Sequence, residues 1–350
     1  KGAYADNYSS SYRTIEEFKI VKKEMEKIHA EIGLPLKATY TDIKTDPGMK
    51  ERINNGEDDT YTFLGIRWNL LTNTVLPNIY FNLAKKNRGT SGDKKIMDME
   101  PHDFQSRDFV WGMTRRTLSR LCAQTYSRLG VMLGPVVMAM KICVSRACEI
   151  MGPTELDLPI ATKDSNFAKT VARVCQELPK LKDLKPFPKA TVPEGAEIIA
   201  FAGDSDGGSP GYSGNWFVCS QKEEEKFSNM ITNKSRVSKR PVPAHECLAR
   251  PLHLDMLKEV IKSIEHREEI KQKSLKIFAI GDSLCTACLF NPEIEIRNVL
   301  IRGAVWTTKQ RCKEILELLP NATIYLTWRA GTKNTADYTS KLHTGLVNIL

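Results

Sequence analysis

The sequence predicts an α/β protein. A mixed sheet with helices on its faces fills the C-terminal part, after a short β-rich opening and a helical middle. Three observations predict it. Short apolar runs at 197–202, 275–280 and 322–328 are bounded by turn residues and separated by stretches of helical period. The middle stretch, 114–151, keeps helical spacing apart from a break at Gly134-Pro135. Residues 276–290, KIFAIGDSLCTACLF, read as a buried strand, a turn at Gly281 presenting Asp282 and Ser283, and a helix start. In α/β folds, ligands and chemistry collect at the carboxyl ends of such strands.

The opening eight residues, KGAYADNY, look cut from a longer chain. Residues 3–8 alternate as a strand-turn-strand hairpin with Asp6 and Asn7 at its tip. A helix follows. Thr14 is its N-cap, and Glu16 and Glu17 sit in the first turn, where the helix dipole favours negative charge. Phe18, Val21, Met25 and Ile28 or Ile32 give its apolar stripe, and Gly33 ends it. Residues 44–60 are polar and read as an exposed loop. Residues 61–69, YTFLGIRWN, read as one strand, with Thr72-Asn73 turning into a second at 75–81.

Residues 84–106 are polar and read as a mobile loop. The helical middle carries a basic face of Arg115, Arg116, Arg120 and Arg128. A Pro-rich connector at 184–193 marks a boundary. Beyond it, strands are expected at 197–202, 212–219 and 227–232. A helix at 244–264, a strand at 275–280 and a short helix follow. A longer helix at 293–318, a strand at 322–328 and a last helix from Asn334 complete the order βββ-α-β-α-α-β-α.

At 350 residues the chain has room for two or three domains. Its net charge of +9 suits a polyanionic partner such as nucleic acid. Nine cysteines at irregular spacing indicate a reducing compartment. Cys285 and Cys288 form a lone CxxC, read as two small residues on a buried helix face rather than a zinc site. No signal peptide is visible, and the longest apolar run, 129–140, is too short to span a bilayer. The expected location is intracellular, in a cytoplasmic particle or the nucleus, with no membrane partner and no secretion.

Four carboxylates fall at comparable points of the C-terminal half. Asp204 ends its first strand, Glu246 lies in the first turn of its first helix, Asp282 ends its fourth strand, and Asp337 opens its last helix. Clustered carboxylates repel one another unless cations sit among them. Mg²⁺, or Mn²⁺ in its place, suits an all-oxygen set. Two ions roughly 3.5–4 Å apart clamp both oxygens of an in-line phosphodiester displacement. Asp206 competes with Asp204 for the ligand role. Asp204 is preferred because it directly follows the apolar run.

The order Asp204, Glu246, Asp282, Asp337 in this element sequence resembles the ribonuclease H fold and its D-E-D-D site. The flanking segments KSRV (234–237), PAHECL (243–248), GDS (281–283) and WRAGTKNTAD (328–337) resemble the ribonuclease H part of BEL/Pao-type retrotransposon Pol polyproteins. YSRLGVMLGPV (126–136) is similar to the family's segment after the polymerase palm, and FLGIRWN (63–69) to its LGLRWN element. Tyr4, Asp6 and Asn7 stand where the reverse-transcriptase motif Tyr-x-Asp-Asp belongs. The resemblance covers nearly the whole chain.

It implies a partial palm over 1–83, a helical thumb and connection region over 84–195, and a ribonuclease H-like domain over 196–350. It also implies Mg²⁺-dependent cleavage of the RNA strand of an RNA–DNA hybrid, with other Pol segments as further partners. Lys234, Arg236, Lys239 and Arg240, a basic loop before Glu246, would contact phosphates, and Ser283 and Asn334 would position substrate. Three departures from the family pattern count, one of them a Gly-rich insertion over 207–214 after the first Asp. Asn7 replaces the second Asp of the polymerase motif, so the reverse-transcriptase part is incomplete and inactive. Pro251 falls inside the helix that holds Glu246 and costs on the order of 3 kcal/mol in a straight helix. A catalytically silent nucleic-acid-binding remnant is therefore the alternative.

Two decoys share letters with other enzymes. GDSL at 281–284 spells the serine-esterase signature with Ser283 as nucleophile. It lies late in the chain, and the only downstream histidine, His343, has Ser340 where an Asp is required. GDSDGG at 203–208 is similar to the Gly-Asp-Ser-Gly-Gly loop of trypsin-like proteases, but Asp206 interrupts it. No Asp-Thr/Ser-Gly of an aspartic peptidase occurs.

Overall fold

The computed structural model describes residues 2–4, 7–9, 14–34, 36, 39–41, 46–63, 65–78, 81, 96–129, 134–188, 196–209, 211–220, 230–265 and 268–340. The chain divides into two compact units, Lys1–Asn78 with Pro186–Lys189, and Ile79–Lys185 with Ala190–Leu350.

In the first unit, β1 (Gly2–Tyr4) and β2 (Asn7–Ser9) pair antiparallel with Tyr4 opposite Asn7. Asp6, at the expected tip, lies outside the described residues. Helix α1 (Ile15–Glu31) begins where the sequence places it, because the Thr14 hydroxyl accepts from the Glu17 N–H at 3.1 Å. The polar stretch read as a loop contains α2 (Pro47–Asn54). Pro47 pre-sets the first helical φ, and Met49 is fully buried, which anchors the turn. The single strand expected at 61–69 is two, β3 (Thr60–Phe63) and β4 (Ile66–Asn69). Gly65, at φ +78°, reverses the chain between them. Asn73, at φ +52°, makes the next turn into β5 (Thr74–Pro77), and β6 (Phe187–Pro188) closes the sheet order β3-β4-β5-β6.

The second unit opens with α3 (Pro101–Gln105), α4 (Arg107–Gly112), α5 (Arg115–Leu129), α6 (Gly134–Ile150) and α7 (Ser165–Gln176). Phe104 and Phe109 meet edge to face at 5.0 Å in a core shared with Leu118, Leu121, Met140 and Val171. Each such side chain contributes about 1.5–3 kcal/mol when fully buried. Val136, Val137, Ala139 and Met140 of the apolar run thus feed a core. No helix among the described residues is long and apolar enough to cross a membrane.

Five strands follow: β7 (Ile198–Gly207), β8 (Gly211–Ser220), β9 (Met230–Val237), β10 (Ser274–Gly281) and β11 (Ala322–Trp328). Their order is β11-β10-β7-β8-β9. The first three run parallel, and β8 and β9 run antiparallel. The helices are α8 (Val242–Ile264), α9 (Glu268–Gln272), α10 (Leu284–Cys288), α11 (Val299–Leu318) and α12 (Asp337–Ser340). Ile199, Phe201, Trp216 and Ile277 from the sheet pack with Leu254, Leu257 and Ile261 of α8 and Ile315 of α11.

Three elements differ from the sequence reading in ways that bear on the site. Strand β7 does not stop at Ala202. Its ladder continues through Asp206, opposite Ser213, to Gly207, opposite Tyr212. Strand β9 is displaced toward the C-terminus, so Lys234 and Arg236 belong to a strand and only Lys239 and Arg240 follow it. Helix α8 runs through Pro251 without ending. In α10, Cys285 and Cys288 are exposed rather than buried, and all nine cysteines are free thiols.

Candidate metal centre

The site lies at the carboxyl edge of the parallel strands. In the β7–β10 register Ser205 faces Gly281, so Asp206 and Asp282 follow one step later on neighbouring strands. Helix α8 closes over this edge from the side. A Cβ on Gly207 would stand 2.1 Å from the Glu246 amide nitrogen, so only glycine lets the first turn of α8 approach this closely. Carboxylate oxygens of Asp206, Glu246 and Asp282 consequently lie within 4.8 Å of one another.

Each acid is held differently. Asp206 is 1% exposed and accepts a hydrogen bond from the Ser340 hydroxyl of α12. The Asp282 carbonyl accepts from the Trp328 indole N–H at 2.7 Å, which fixes the turn after β10. Its Oδ1 is buried and has no hydrogen-bond partner. A buried acceptor left open toward two other carboxylates is what a hard cation would complete. The donors in the cluster are all carboxylate oxygens, with neither thiolate nor imidazole, so the set fits Mg²⁺ or Mn²⁺ better than Zn²⁺.

The geometry groups Asp206, rather than Asp204, with Glu246 and Asp282. Asp204 is fully buried, and its Oδ2 accepts from the Thr335 N–H at 2.8 Å, the Thr335 hydroxyl at 2.7 Å and Arg329 Nη1 at 3.2 Å. It ties the β11–α12 connection to β7 and stands outside the cluster. Asp337 also stands outside it. From the four-residue α12, the hydroxyl of Ser340 reaches Asp206. Of the four acids chosen from sequence, the structure brings Glu246 and Asp282 together and adds Asp206. Strand parity carried a signal for Asp206, since it shares a face with Asp204 once the strand continues.

The proposed substrate contacts divide. Asn334 is 3% exposed, its Nδ2 donates to the Ser205 carbonyl at 3.1 Å, and its Oδ1 accepts from the Ala336 N–H. It braces the loop before α12. Ser283 caps α10, accepting from the Thr286 N–H at 3.2 Å and the Thr286 hydroxyl at 2.9 Å. Lys239 pairs with Glu149 of α6 at 3.0 Å, and Arg240 is exposed. Lys234 and Arg236 stand near Lys141 of α6, whose Nζ donates to the Ser235 carbonyl at 2.7 Å. Burial, then these two neighbouring cations, hold the Lys141 ammonium below its usual range. Asp6, the side chains of Tyr4 and Asn7, and His343 lie outside the described residues.

Two buried basic side chains follow Glu246 on α8. Arg250 donates to the carbonyls of Ala279 and Thr327. His253 stacks on Trp216 at 3.9 Å and donates through Nε2 to the Asn215 carbonyl at 2.8 Å. Burial pushes His253 down to about 3.

Strand order, helix placement and the carboxyl-edge acids now stand together. The sheet is a mixed five-stranded one with helices on its faces. No family model matches the chain, and no curated protein matches it. Among solved structures, it is similar to the N-terminal ribonuclease H domain of a Mycobacterium tuberculosis protein at 10% identity. That match covers 41% of this chain and 94% of the other, with a TM-score of 0.29. It is also similar to a ribonuclease H1 isolated from compost, solved with an RNA/DNA hybrid, at 12% identity over 40% of this chain and 91% of that one, TM-score 0.28. A foamy viral protease–reverse transcriptase in complex with double-stranded DNA matches at 12% identity over 78% of this chain and 45% of that one, TM-score 0.34. At these levels the similarities assign no role to any residue of this chain.

Proposed function

We propose that the second unit is a divalent-metal-dependent nuclease that hydrolyses the RNA strand of RNA–DNA hybrids, within a retroelement Pol fragment of the BEL/Pao type. The observation that carries this reading is the cluster of Asp206, Glu246 and Asp282 at the carboxyl edge of β7 and β10, with an unpartnered buried oxygen on Asp282. A divalent ion bound there, Mg²⁺ or Mn²⁺, supplies charge stabilisation and a more acidic water. The protein's part is to hold three carboxylates in fixed positions. Trp328 pins the Asp282 turn, Ser340 orients Asp206, and Gly207 admits the first turn of α8. Asp204 would act through the loop that carries Ser340 and Asp337. Lys234, Arg236, Arg240 and Lys141 would meet the phosphate backbone of an A-form-like duplex read by shape and 2′-hydroxyls.

The first unit would be the remainder of a reverse-transcriptase palm, silent because Asn7 replaces a metal-binding carboxylate. A second reading, a remnant that binds nucleic acid without cleaving it, is favoured by the buried cation Arg250 beside the acids. Incubating the chain with a labelled RNA–DNA hybrid and Mg²⁺, alongside Asp282→Asn, separates the two. Cleavage lost in the variant supports the nuclease. Salt-sensitive binding with no cleavage by either protein supports the remnant.

A further inference from the structure

Three carboxylates this close repel one another unless positive charge stands near them. One such charge belongs to the chain. Arg250 follows Glu246 by one turn of α8, so both side chains rise from the same helix face. Its side chain is 3% exposed. Nη1 donates to the Ala279 carbonyl at 2.7 Å and Nη2 to the Thr327 carbonyl at 3.0 Å, which clamps the ends of β10 and β11. A Cβ on Gly281 would stand 2.7 Å from Nη2, so the guanidinium lies against the residue that precedes Asp282. Burial lowers Arg250 to about 10, while Glu246, Asp282 and Asp204 oppose that shift, and the group stays charged at neutral pH. With its donors fixed on backbone carbonyls, it cannot swing out to substrate.

We propose that Arg250 is the resident counter-cation of this cluster, holding Glu246 and Asp282 together without metal and weakening the site's pull on a divalent ion. The metal half of this statement rests on the proposed function, and the metal-free half does not. A fixed positive charge both screens the carboxylates from one another and repels an arriving dication, and in a partly buried site neither effect is fully screened by water. Asp204 has a second cation of its own, Arg329, paired with it at 3.2 Å. Arg250 is thus a positioning residue.

The test uses the full chain without nucleic acid. Mn²⁺ binding is measured by calorimetry, and melting is followed in EDTA and in saturating Mn²⁺. Arg250→Gln should bind Mn²⁺ about tenfold tighter or more, and Arg250→Lys should stay within about threefold of the wild type. Arg250→Gln should melt lower than wild type in EDTA and recover most of the loss in Mn²⁺. Equal losses in both conditions, with unchanged Mn²⁺ affinity, would make Arg250 a structural clamp only and overturn the proposal. If Arg250→Gln does not fold, Arg250→Lys decides, and a tenfold change in its affinity overturns the proposal. If the wild type binds no Mn²⁺, the metal reading fails by itself. The EDTA arm then decides for Arg250: adding Glu246→Gln to Arg250→Gln should restore melting, and no restoration overturns the counter-cation role.

Discussion

Asp204 and Asp206 stand two residues apart on one face of β7 and meet different surroundings. Asp204 is enclosed by Thr335 and Arg329, while Asp206 reaches the edge where Glu246 and Asp282 meet it. The apolar run before Asp204 was legible, but the ladder that carries the strand past Gly203 depends on β8 and β10, which no local pattern displays. His253 tells a similar story. In the sequence it is one more position on a helix, yet it is fully buried and its Nδ1 has no partner. Its folded pKa, about 3, lies below the ordinary value of 6.5, so the unfolded chain binds its proton first as pH falls. Its contribution to stability is complete above about pH 6.5 and is lost as pH drops toward 3. Lowering pH from 6.5 to 5 should cost about 2 kcal/mol from this group. Urea melts of His253→Gln should show a shallower acid slope than wild type, and an identical slope would refute this.

Among the elements, α8 shows how a sequence warning can be overruled. Pro251 removes a backbone N–H, yet the helix continues, since Leu252, Leu254, Leu257 and Ile261 bury its face against the sheet. Tertiary packing outweighs a local cost of about 3 kcal/mol. The order βββ-α-β-α-α-β-α was readable apart from the short α9, because β7, β10 and β11 begin as apolar runs closed by turn residues. The break at Gly65 and the helix at Pro47–Asn54 were not, because one needs a positive φ and the other a buried Met49. At this scale Gly207 is the sensitive point. Gly207→Ala would drive a methyl into the backbone of His245 and Glu246. The expected result is a loss of about 1–3 kcal/mol and a displaced Glu246. Circular dichroism should report a folded protein, and the hybrid assay a nuclease with strongly reduced cleavage. Full activity in Gly207→Ala would mean that α8 need not sit so close.

Over the whole molecule, the net charge of +9 was the first hint of a polyanionic partner, and the structure gives part of it a location. Lys141 from α6 and Lys234 and Arg236 from β9 gather on one side of the second unit. Each phosphate contact adds a little under one to the slope of log affinity against log salt. Lys234→Gln and Arg236→Gln should each lower that slope by about one for hybrid binding, while melting temperature stays unchanged. A slope that does not move would take these residues out of the interface.

The central claim is that Asp206, with Glu246 and Asp282, forms the nuclease centre and that Asp204 supports it from behind. Its most direct test is Mg²⁺-dependent cleavage of a labelled RNA–DNA hybrid by wild type, Asp206→Asn and Asp204→Asn, read together with the melting temperature of each. The account predicts that Asp206→Asn is folded and inactive. Asp204→Asn should be less stable by about 1–3 kcal/mol and should still cleave at a temperature where it is folded. A folded Asp204→Asn that has lost cleavage, beside an Asp206→Asn that retains it, would contradict the account.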